Sequence, residues 1–70
     1  MKKRKRNFII FFRSFYSGEI FDGNEAVQTD GEFPSWKDFV EQMVDARGYD
    51  DLLITNIIEV TESDYKDWIN

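Results

Sequence analysis

Asn7-Phe8-Ile9-Ile10-Phe11-Phe12-Arg13-Ser14-Phe15-Tyr16 contains five consecutive large apolar residues, all β-branched or aromatic, with charge before the stretch and a Ser17-Gly18 turn signal after it. Such a run fits a strand covered on both faces, and hence a central strand, better than a strand with one solvated side. Alternation puts Phe8, Ile10, Phe12, Ser14 and Tyr16 on one face and Ile9, Phe11, Arg13 and Phe15 on the other. The rest of the chain has to supply a cover for each.

Working outward, Ser17-Gly18 suits a two-residue hairpin turn, after which Glu19, Ile20 and Phe21 pair back antiparallel. Asp22-Gly23-Asn24 is a second turn or bulge signal, and Ala26 to Thr29 is strand-compatible. Residues 19–29 therefore fit one bulged strand and equally a strand plus loop. Asp30-Gly31-Glu32 closes the irregular stretch. Ser35 then reads as a helix N-cap with Asp38 three residues on, and Trp36, Phe39, Val40, Met43 and Val44 fall on a single apolar helical face. Gly48 is the expected stop.

Leu52 to Val60 is a second strongly apolar strand, and alternation groups Leu52, Ile54, Ile58 and Val60, with Asn56, on the face expected to meet the helix. Thr61 is a second N-cap signal, with Val60 and Tyr65 spaced as a hydrophobic staple. Tyr65, Trp68 and Ile69 form the stripe of a two-turn helix that has to dock on the sheet to be stable. The expectation is an α+β domain of order β-β-α-β-α. A helical crossover favours a last strand parallel to the first, giving a three-stranded mixed sheet of order 2-1-3 with the long helix on one face and a short C-terminal helix. That outline resembles the first part of a β-grasp fold without its final strand.

With 70 residues there is room for one domain, placed at residues 7–70 behind a basic flexible tail at 1–6. Seven Phe, three Tyr and two Trp give so short a chain a dense core. Neither Cys nor His occurs, which removes thiol nucleophiles, disulfides, and the commonest proton-transfer group and metal ligand. No Gly-rich phosphate loop is present. Asp22, Asn24 and Glu25 begin like a calcium loop, but Ala26 stands at the next ligand position and the later Gly and Glu are missing. The expectation is a protein that is not an enzyme and that uses no cofactor and no metal.

The basic start and the apolar run together suggest a signal peptide. Arg13 interrupts the run too early and no small-residue cleavage site follows, so a soluble cytoplasmic protein is expected instead. Residues 2–6 carry +5, whereas residues 7–70 carry four positive and fourteen negative charges, or −10. An acidic surface of that density can imitate a nucleic-acid phosphate array and occupy a basic groove on another protein. The expected function is a non-catalytic protein-interaction module, with Asp22, Glu25, Asp30 and Glu32 of the loop expected from Asp22 to Glu32 as partner-binding residues. Two alternatives stay open: nucleic-acid binding through Lys2, Lys3, Arg4, Lys5 and Arg6, and self-association through the apolar edge Leu52 to Val60.

In size and composition, a tiny acidic α+β chain with a basic start and neither His nor Cys resembles small accessory proteins of phages and prophages. That resemblance implies a protein that blocks host defence or transcription machinery. It assigns no site residue.

Overall fold

The computed structural model describes residues 4–69. The chain forms β1 (Arg6–Tyr16), β2 (Glu19–Thr29), α1 (Trp36–Arg47), β3 (Asp51–Val60) and α2 (Glu62–Ile69). The sheet order is β2-β1-β3, with β1 in the centre. Phe8, Ile9, Ile10 and Phe12 are all buried, so both faces of β1 are covered, as its apolar run requires.

The β1–β2 turn is made by Ser17 and Gly18, both at positive φ (52° and 79°). Two such residues give a turn whose twist matches that of the flanking strands. β2 then pairs with β1 without a break, from Glu19 opposite Tyr16 to Thr29 opposite Arg6. Residues 19–29 are thus one unbulged strand, and Asp22-Gly23-Asn24 does not turn. Gly23 lies opposite Phe12, and a Cβ built on it would stand 3.0 Å from the Phe12 ring. The glycine serves close packing here: an aromatic ring occupies the space a side chain would need.

β3 runs antiparallel to β1, with Asn7 opposite Val60 and Phe15 opposite Asp51. The sheet is therefore wholly antiparallel. The expected parallel pairing is corrected, and with it the mixed sheet and the β-grasp outline. The helical crossover leaves from β2, which already runs against β1. A crossover that restores the direction of β2 lays β3 parallel to β2 and antiparallel to the β1 strand between them.

β3 carries the bulge. Its register slips between Asn56, opposite Phe11, and Ile54, opposite Phe12, which leaves Thr55 as the extra residue. The slip divides the face expected for Leu52, Ile54, Ile58 and Val60. Leu52, Ile54 and Ile57 pack under α1 with Ile10, Phe12, Phe39 and Met43. Ile58 and Val60 turn to the opposite side, where they meet Ile9 and Trp68. Asn56 accepts the Ile57 N–H through Oδ1 at 2.9 Å, which satisfies a backbone donor beside the slip.

α1 begins at Ser35, whose Oγ accepts the Asp38 N–H at 3.3 Å, and it ends at Gly48, whose φ of 71° lets its N–H reach the Val44 carbonyl. α2 begins at Thr61, whose Oγ1 accepts the Asp64 N–H at 3.1 Å. With only eight residues, α2 depends on docking. Trp68 supplies the dock, edge-on to Phe11 at 6.2 Å and donating from Nε1 to Asn24 Oδ1 at 3.1 Å. The two helices thus lie on opposite faces of the sheet. Among the described residues no helix is long and apolar enough to cross a membrane.

Candidate functional site

The four acids singled out from the sequence do not share a loop. Asp22 and Glu25 belong to β2, and only Asp30 and Glu32 lie in the connection to α1. Alternation sends Asp22 and Glu25 to opposite faces of the sheet. Each also has a cation: Asp22 Oδ1 accepts from Arg13 Nε at 2.9 Å, and Glu25 Oε2 from Arg47 Nη2 at 3.0 Å. Asp30 and Glu32 are exposed. The Glu32 backbone carbonyl accepts the Thr29 hydroxyl at 2.6 Å, which steadies this short connection.

The proposed basic arm is also divided. Lys2 and Lys3 lie outside the described residues, and Arg4 and Lys5 are exposed. Arg6 is the first residue of β1 and is held from three sides. Its Nε and Nη2 donate to both carboxylate oxygens of Glu59 at 3.0 and 2.8 Å, and Nη1 donates to the Gly31 carbonyl at 3.2 Å. Its guanidinium lies 5.1 Å from the centre of the Phe8 ring. Arg6 therefore clamps β1, β3 and the β2–α1 connection together, and the tail boundary placed after residue 6 falls one residue too late.

That clamp has an electrostatic signature. The hydrogen bonds from Arg6 hold the Glu59 carboxyl below its ordinary value against the opposing effect of desolvation, with the charge of Arg6 adding to the lowering. A carboxylate depressed in the folded state stabilises the fold above its unfolded pKa, about 4.3, and loses that contribution as the pH falls through its lower folded value. Wild type should therefore be more stable than Glu59→Gln at neutral pH. The two should converge in acid, as followed by urea unfolding at low salt. A difference that stays unchanged down to the lowest pH at which the fold persists would show that the ion pair is not its source.

A further group of acids, not singled out from the sequence, lies on α1. Asp38, Glu41 and Asp45 stand at i, i+3 and i+7, so they share one exposed stripe. None of the three is in an ion pair among the described residues. The stripe continues past the start of the helix, because Asp38 lines a shallow depression with Glu32, Thr29 and Pro34. The signal was present in the acidic i, i+3, i+7 spacing, but a helix surface rich in charge is ordinarily only a solvated face. No group of three metal-ligating side chains occurs among the described residues.

No family model, curated protein or solved structure matches the chain.

Proposed function

We propose that the protein is a non-catalytic interaction module that seats an acidic surface in a basic groove of a protein partner, in the manner of an inhibitor of a nucleic-acid enzyme. The observation that carries this reading is the stripe Asp38, Glu41 and Asp45, continued by Glu32, on a body of net charge −10. Carboxylates already paired within the chain present little field to a partner, whereas unpaired ones on a rigid helix steer a cationic surface and fix its orientation. The contact surface is therefore centred on α1, with Glu32 at its margin and Asp22 and Glu25 outside it.

Salt-dependent capture from a cell lysate tests this. The protein should retain a partner at low salt and release it as salt rises, and a polyanion such as heparin should compete for that partner. The Asp38→Lys, Glu41→Lys, Asp45→Lys triple variant should lose at least tenfold in association rate while remaining folded by circular dichroism. Surface substitutions of this kind usually cost within about 0.5 kcal/mol each. Equal capture by the triple variant, or capture indifferent to salt, would sink the proposal.

A further inference from the structure

The outer edge of β3 carries its own pattern. Two apolar side chains along it keep exposed surface, Leu53 at 58% and Ile58 at 39%, and Trp36 of α1, which lines a groove with Leu53, is 65% exposed. Trp36, Val40, Leu52, Ile54 and Ile57 line an apolar groove that runs along this edge. A bulge ordinarily spoils edge pairing because it breaks the alternation of faces. Here the bulge lies in the middle of the strand, and its effect is the reverse.

Leu52 and Ile54 face α1 before the bulge, and Ile57 and Glu59 face it after; Asp51 and Leu53, then Ile58 and Val60, face the other way. The order of faces in the two arms, residues 51–54 and 57–60, therefore reads the same from either end of the strand. We infer that β3 is the interface of a symmetric dimer, in which two copies of this chain pair β3 to β3 antiparallel about an axis between Thr55 and Asn56. In that register Leu53 lies opposite Ile58 of the second copy and Ile54 opposite Ile57, each pair on one face and each occurring twice; Asp51 Oδ1 and Asn56 Oδ1, which hold the Leu52 and Ile57 N–H groups in the single chain, yield those donors to the second copy. A slip by one residue would reverse every match.

Charge permits the pairing. Asp51 meets Val60 and Glu59 meets Leu52, so no carboxylate faces another, and Glu59 is already held by Arg6. An edge of ten residues spans about 33 Å. With the two Trp36 side chains it would bury on the order of 600 Å² per copy, at the low end for a stable complex. The dimer is thus reversible, and two sheets become one of six strands.

Sedimentation equilibrium from low micromolar to millimolar protein should show the mass rising towards twice the monomer, and Leu53→Lys should raise the dissociation constant at least tenfold. Because the chain lacks cysteine, single Cys substitutions report the register cleanly. Thr55→Cys should cross-link to itself on mild oxidation, and Leu53→Cys mixed with Ile58→Cys should cross-link more than either alone. Ser63→Cys, on α2, should not. Circular dichroism would confirm that each variant is folded. A strict monomer across the range, or cross-linking as efficient at Ser63 as at Thr55, would overturn the dimer.

Discussion

Phe12→Ala should abolish cooperative unfolding at ambient temperature, or lower the midpoint by roughly 15 °C or more if a folded population survives. Phe12 is 4% exposed and its ring meets Phe39 at 6.0 Å while covering Gly23 on the next strand. Truncating a buried Phe costs about 3–5 kcal/mol, through lost transfer energy and the cavity left behind. A chain of 70 residues has little stability in reserve, since natural domains hold only about 0.05–0.15 kcal/mol per residue. Phe11, its equally apolar neighbour, is only half-buried and packs against Trp68. Phe11→Ala should therefore cost distinctly less, mainly by loosening α2. Urea unfolding of both variants by circular dichroism is the check, and equal losses would mean that α1 and α2 cover the sheet equally well.

Gly23→Val should destabilise by about 1–3 kcal/mol, the usual penalty for overfilling a packed site. On an open strand the same change would be favourable, because Val suits a strand better than Gly. Here the added Cβ would lie 3.0 and 3.1 Å from two atoms of the Phe12 ring, and that ring cannot withdraw without disturbing Phe39. The penalty should shrink in a Phe12→Leu background, because residues in contact do not contribute additively. If Gly23→Val is as stable as wild type in both backgrounds, the ring does not sit over the glycine.

Most of the candidate site was illegible for a particular reason. Asp22, Glu25, Asp30 and Glu32 look alike in the sequence, as acids set among glycines. What separates them is whether a cation stands across a strand or on a neighbouring helix. Arg13 reaches Asp22 and Arg47 reaches Glu25 only because the hairpin register and the packing of α1 bring them together. Arg6 shows the same effect from the basic side. It is continuous with a run of like charges, yet Glu59, 53 positions away, fixes it to the sheet. Pairing over such distances depends on long-range contacts that local composition does not encode.

Element type, helix ends and the central place of β1 follow from the sequence alone. Capping hydroxyls, Gly48, the hairpin turn and an unbroken apolar run each act over a few residues, through backbone geometry and local hydrogen bonds. Strand direction, the straightness of β2 and the bulge at Thr55 were decided by the tertiary structure. Gly23 reads as a turn until the Phe12 ring is placed over it. The alternation of Leu52 to Val60 reads as one face until two helices on opposite sides of the sheet each claim part of it. Leu52, Ile54 and Ile57 can meet α1 while Ile58 and Val60 meet α2 only if the strand takes in one extra residue, and that requirement exists only once both helices have docked.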